Sequence, residues 1–287
     1  MTKKNKKHLS KTAWAALAGK WIFLGTMIIF TLYPVVYTVL GSLKTNAELT
    51  QGGGFFPAAW HFENYYQAFV QADFTKYTMN SVIVSASVTL LAAATCSLAG
   101  FILARKDFAG KKVLMALYLS MMFVSLGSVT LYPIYELLRA LKLNKTIFAL
   151  IIALTGGQAA NVFLVMGFTK GIPRELDEAA IIDGCSLYGV YSRIILPLSK
   201  PILAVVALFS FRNAWNDYIT SLIMTISMPK LQTLTVAVVQ LKYSVNAAAE
   251  WHIMLAGASI AIIPILIVYL FANKQFIAGL TAGAVKG

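Results

Sequence analysis

Gly171-Ile172-Pro173-Arg174-Glu175-Leu176-Asp177-Glu178-Ala179-Ala180-Ile181-Ile182-Asp183-Gly184 reads as a short helix with its start and stop written in. Pro173 suits a first helical turn, and Glu175, Asp177 and Glu178 complement the positive end of the helix dipole. Gly184 suits the position just past the helix end, where a positive φ is wanted. Leu176, Ala179 and Ala180 are expected on one face, with Ile181 and Ile182 on its flank, and the small alanines let another surface approach closely. A second short helix is expected from about Ser186 to Ile194, with Leu196-Pro197 stopping it. The whole connection runs from about residue 169 to 200. About thirty residues is long for loop closure alone, so the stretch reads as a docking element.

On either side of it the chain is apolar. Of 287 residues 59% are hydrophobic and 12% charged, and the mean hydropathy is +0.72. Soluble domains carry about 25% charged and 45–50% apolar residues, and one aqueous core cannot hide this much apolar surface. Six windows have the roughly 20 apolar residues that a spanning helix needs: about 20–43, 78–104, 113–138, 146–168, 201–226 and 252–272. Backbone groups in lipid must be satisfied within their own segment, so such lengths mean helices. Transmembrane strands are about half as long and alternate. The expectation is an all-α polytopic membrane protein with six transmembrane helices. Pro34, Pro133, Gly156-Gly157 and Pro264 interrupt the runs, which neighbouring helices tolerate by repacking. The expected division is a segment 1–20, a six-helix domain 21–272 and a tail 273–287.

The lysines and arginines set the orientation. Lys3, Lys4, Lys6, Lys7, Lys11, Lys20, Arg105, Lys106, Lys111, Lys112, Lys170, Arg174, Arg193, Lys200, Lys274 and Lys286 fall on one side. Only Lys44, Lys76, Arg139, Lys142, Lys145, Lys230 and Lys242 fall on the other, so both termini and the docking connection are expected in the cytoplasm. The basic N-terminus precedes an apolar run from Trp21 to Leu43, longer than the roughly 7–15 residues of a signal-peptide core and without a convincing cleavage site. It reads as an uncleaved first helix. The net charge of +13 follows this one-sided pattern; no zinc spacing, stacking platform or basic helix marks a nucleic-acid module. Cys96 and Cys185 read as reduced thiols. His8, His61 and His252 are scattered and form no metal set. In the outward segment 44–77, Phe55, Phe56, Trp60, Tyr65 and Tyr66 read as an interfacial belt or an amphipathic helix on the outer leaflet.

Glu178-Ala179-Ala180, three residues, Gly184, nine residues, Ile194, one residue and Leu196-Pro197 together resemble the EAA loop of ATP-binding-cassette (ABC) importer permeases. The resemblance extends over most of the chain. Asn80-Ser81, Ala104-Arg105 with Phe108 and Gly110, Tyr33-Pro34 and Trp215-Asn216 look like the carbohydrate branch, and the tail from Gly279 to Gly287 is similar to that of the maltose-type MalG-like subunit. Cys185 stands where that family often has alanine, and Ala284 where glycine is common. The resemblance implies the type I, MetI-like permease fold, in the inner membrane of a bacterium or archaeon. It implies that Glu178, Ala179, Ala180, Asp183, Gly184, Ile194, Leu196 and Pro197 couple this chain to an ATPase subunit. It also implies a tail reaching into the ATPase pair. The partners implied are a second permease subunit, two ATP-binding-cassette subunits carrying ATP and Mg, and an extracytoplasmic solute-binding protein. This chain has no G-x-x-x-x-G-K phosphate loop, so it is expected to bind no cofactor itself and to draw energy from another polypeptide.

Polar residues inside a bilayer are costly and face a pathway or a partner. Asn213, Trp215, Asn216 and Asp217 in the fifth window, with Gln158 and Asn161 in the fourth, are the candidate translocation-path residues. Asn213 and Asp217, four apart, are expected on one helix face, and Arg212 and Asp217 are a candidate pair. Amides and a carboxylate suit sugar hydroxyls, and an indole suits a ring face. Hydrogen bonding between packed helices or subunits accounts for the same residues and is the preferred reading. Glu136 and Arg139 read as a surface pair of little energetic weight. An importer of a non-sugar solute is the alternative cargo reading. An ion-coupled secondary carrier is the alternative mechanism, and it leaves the EAA spacing without a purpose. No convergent catalytic set supports an enzyme.

Overall fold

A computed structural model describes residues 11–124, 127–243 and 249–284. Lys3, Lys4, Lys6, Lys7, His8 and residues 285–287 of the tail lie outside the described residues. Among the described residues the chain is all helix and turn, without a strand. The first apolar window lies in α1 (Lys11–Gly41), which carries Pro34 and packs along the last helix. Its surface is apolar nearly all round, with Trp21, Ile22, Phe23 and Phe30 more than 60% exposed. Such a helix is stable only where lipid or another subunit replaces water.

A compact cap follows. α2 (Asn46–Thr50) begins with a reciprocal cap, in which the Glu48 amide donates to Thr45 Oγ1 and the Thr45 amide to the Glu48 carboxylate. Glu48 Oε1 also accepts from the Ala58 amide at 2.8 Å. These backbone donors, Thr45 first and Ala58 second, hold the Glu48 carboxyl below the usual range. α3 (Glu63–Gln71) turns Asn64 inward, where its amide donates to Ser42 O and Lys44 O at 2.9 Å each. Tyr65 also turns inward, to Ser42. Phe62, Tyr66, Phe69 and Val70 stay exposed beside Phe55, Phe56 and Trp60. Of the five aromatics expected at the interface, Phe55, Phe56, Trp60 and Tyr66 are exposed and Tyr65 turns inward.

α4 (Phe74–Arg105) is the central, uninterrupted span, and packs most extensively on two later helices, α8 (Ala159–Lys170) and α12 (Lys200–Asn216). The approach to α8 is close at Gly100, where a Cβ would lie 2.7 Å from Val165. The third window is divided between α5 (Lys111–Phe123) and α6 (Leu131–Ala140), with a 3-10 turn at Gly127–Thr130. The fourth is α7 (Ile147–Thr155) and α8 (Ala159–Lys170), bent by 53°. Gly156 is extended and Gly157 has φ +70°, a conformation that favours glycine.

α9 (Glu175–Ile182) is followed by α10 (Leu187–Val190), a π-helical turn over Tyr191–Ile195 and α11 (Leu196–Leu198). The chain then bends by 76° into α12 (Lys200–Asn216). α13 (Ile219–Thr225) completes the fifth window, and α14 (Leu234–Gln240) and α15 (Trp251–Ala284) end the chain. Among the described residues three helices are long and apolar enough to span alone, and two bent pairs, α7 with α8 and α10–α11 with α12, raise the candidate spans to five. The last helix continues past the span into the tail as far as Ala284.

Candidate functional site

The expected short helix is present as α9, two residues later than the proline placement suggests: Arg174 is its N-cap and Pro173 precedes it. The stop is as read. The Cys185 amide donates to Ala180 O at 2.9 Å and the Gly184 amide to Ile181 O at 3.0 Å, while Gly184 has φ +84°. Both bonds of a Schellman ending are therefore made. Ser186 caps the next helix by accepting from the Gly189 amide.

Two expectations need correction. The second helix does not stop at Leu196-Pro197 but runs on to Leu198. The π turn makes this possible: the Leu196 amide donates five residues back to Tyr191 O. The widened turn relieves the clash a proline ring makes with a carbonyl four residues earlier. The apolar face of α9 is also divided. Ala180 is buried against Phe101, Ile172, Val190 and Tyr191, whereas Ala179 faces outward with Leu176, Ile181 and Ile182.

This segment is clamped to the end of α4. Arg105 Nε lies 2.6 Å from Asp177 Oδ2, with side chains only 5% and 14% exposed. Arg105 Nη2 donates to Ile172 O at 2.9 Å. Tyr191 Oη meets Ser97 Oγ at 2.5 Å, and its ring packs on Phe101 with centroids 5.4 Å apart. A firmly held base thus presents Ile182, 86% exposed, and Tyr188, 72% exposed, on its outer surface. Glu178, Asp183, Gly184 and Pro197 are exposed with them, while Ile194 and Leu196 are half-buried.

The polar residues of the membrane windows separate into two groups. Asn161 Nδ2 donates to Gln158 Oε1 at 2.5 Å and lies 3.4 Å from Ser210 Oγ on α12, a link between helices. Gln158 also lines a mostly apolar cleft of about 470 Å³ with Thr95, Tyr118 and Thr155. Trp215 is 2% exposed: Phe211 stacks on it and its indole N–H donates to Ala261 O. No ring face is left for a sugar there in this structure. Asp217 is the C-cap of α12, where the chain leaves the helix at ψ 127°, and its carboxylate accepts from the Ser221 amide at 2.7 Å. Arg212, Asn213 and Asn216 remain exposed together on α12.

Residues 96–280 match the family described as the binding-protein-dependent transport system inner membrane component. The chain belongs to this family. The probable ABC transporter permease YurM of Bacillus subtilis is 31% identical to the permease over 268 residues, 93% of this chain and 88% of that one. The maltodextrin transport permease MdxG of the same organism is 30% identical over 93% of this chain and 95% of its own. A chain of a bacterial ABC transporter importing the acidic polysaccharide alginate superposes with a TM-score of 0.78 over 94% of the permease and all of that chain. At 21% identity this likeness speaks for the fold. The permease is a membrane-embedded ABC transport component with the MetI-like fold, and not an enzyme.

Sequence reading missed two features of the permease. One is the Arg105–Asp177 pair, whose residues belong to motifs that carry no mark of their contact. The other is the role of Asn80 and Ser81, which lie in the second turn of α4 rather than at its start. Asn80 Nδ2 donates to Lys230 O and Gln232 O at 3.0 and 2.9 Å, and Ser81 Oγ accepts from the Leu234 amide at 2.8 Å.

Proposed function

We propose that the permease imports a sugar or oligosaccharide across a bacterial or archaeal cytoplasmic membrane, by alternating access driven from separate ATPase subunits. Residues 173–197 lie on the cytoplasmic side with both termini, and dock into one of two ATP-binding-cassette subunits, where ATP and Mg are bound. A second, related permease subunit completes the pathway, and a solute-binding protein delivers the cargo outside. The observation that carries this reading is the coupling segment itself. Leu176, Ile181, Ile182 and Tyr188 stand exposed on a base fixed by Arg105 and Tyr191. Apolar side chains held rigidly at an aqueous membrane face are a surface made for a partner.

The sugar cargo is supported by the maltodextrin transport that one of the similar proteins is named for. Exposed Arg212, Asn213 and Asn216 are the α12 groups available to line the path, and Gln158 reaches a cleft; Trp215 and Asp217 act as supports behind them. Purification of the tagged chain from its host in mild detergent, with mass spectrometry of what accompanies it, tests the assembly. An ATPase and a second permease are expected. The solute-binding protein recovered with them is then titrated with maltodextrins and other neutral and acidic oligosaccharides. A chain that emerges alone after cross-linking defeats the coupling reading, and a binding protein that takes amino acids or phosphate defeats the sugar reading.

A further inference from the structure

α4 is gripped at both ends. At one end Ser97, Phe101 and Arg105, each four residues from the next, form a stripe along its last turns, and all three hold the coupling segment. Arg105 makes the firmest grip, since it reaches both Asp177 and the carbonyl of Ile172 in front of α9. Asp177 Oδ1 and Arg105 Nε are both buried without a hydrogen-bond partner, so the two side chains hold each other as an ion pair. At the other end Asn80 and Ser81 hold the backbone of 230–234, where Gln232, Thr233 and Leu234 are all buried. Between Asn80 and Arg105 the helix runs without a proline or a break for about 37 Å. The third, fourth and fifth windows are all interrupted, and the breaks of the fourth and fifth lie at Gly156-Gly157 and after Asn216.

We infer that α4 is the element carrying movement of the coupling segment to the 229–234 segment at the opposite membrane face, with Arg105 and Asn80 as the positioning residues at its two grips. The inference rests on the coupling role proposed above. A helix transmits displacement along its axis when its hydrogen-bond ladder is unbroken, and a broken span absorbs it at the hinge. Arg105 ties α9 to that axis through an ion pair to Asp177 and an Nη2 hydrogen bond to Ile172 O. One guanidinium spans both contacts, and a lysine ammonium is poorly shaped to make them together. Asn80 ties the far end through two backbone carbonyls, so the 229–234 segment follows the helix rather than sliding on it.

The test uses the assembled importer with its solute-binding protein in lipid vesicles, and reads basal ATPase, ATPase stimulated by the loaded binding protein, and uptake. Asn80→Ala and Arg105→Lys are each expected to keep basal ATPase and to lower stimulation and uptake by about fivefold or more. The double variant is expected to be no worse than the poorer single one, because either cut opens the same linkage. Independent sites this far apart would instead multiply their effects. Exchange of the pair, R105D with D177R, is expected to recover part of the stimulation that Arg105→Asp alone destroys. Multiplying effects, or an Asn80→Ala importer with normal stimulation, would overturn the inference while leaving the coupling reading in place. A wild-type importer whose ATPase ignores the loaded binding protein would remove the coupling reading, and this inference with it.

Discussion

Gly184 turns the chain at φ +84° with open space around a hypothetical Cβ, so only its backbone conformation resists substitution. A β-branched residue there costs about 1–2 kcal/mol locally. Gly184→Val is therefore expected to loosen the α9 ending and depress coupled uptake while basal ATPase of the assembly persists. Gly184→Asn, tolerant of this region, is expected to stay near wild type. Equal uptake by both would contradict this account of the turn. Glu48 makes a second residue-scale case. Its folded pKa is lowered, so its contribution is complete above the ordinary carboxylate range and is lost as pH falls through the lowered value. Exchange of the Ala58 amide proton, followed by mass spectrometry, is expected to lose protection on acidification, and Glu48→Gln to lose it already at neutral pH. The Gly184 turn was legible in the sequence because a positive φ selects a residue type. The Arg105–Asp177 pair was not, because nothing in either motif states which distant residue lies opposite.

At the scale of elements, α4 and α8 meet where Gly100 admits Val165. A methyl group at Gly100 would lie 2.7 Å from Val165 Cβ and 2.9 Å from the Met166 nitrogen. Overpacking of this kind costs about 1–3 kcal/mol. Gly100→Ala is expected to lower thermal stability in detergent. Gly25→Ala, in a part of α1 with nothing within 4 Å of the added carbon, is expected to be neutral or stabilising. The reverse order would contradict the packing. The apolar windows were legible because twenty such residues have few other stable fates. Their breaks were only half legible. Gly156-Gly157 announced a weak point, but the end of α12 at Asn216 did not, because Asp217 is recruited by Ser221 beyond it.

For the whole molecule, the charge bias and the structure agree on a common end. Arg105, Lys106, Lys170, Arg174, Arg193 and Lys200 lie at the ends of α4, α8 and α12 around the coupling segment. The expected consequence is topological: a cysteine placed at exposed Tyr188 is labelled by an impermeant maleimide only after spheroplasts are opened, and one placed at exposed Trp60 is labelled in intact ones. The reverse would invert the molecule in its membrane. The central claim is that residues 173–197 meet an ATPase subunit. A photoreactive benzoylphenylalanine in place of Ile182 or Tyr188, with one in place of 71%-exposed Leu90 within α4 as control, tests it in living cells. The account predicts a covalent adduct with an ATP-binding-cassette subunit from the first two positions and none from Leu90. A transport-competent importer that forms no such adduct from either Ile182 or Tyr188 would contradict it.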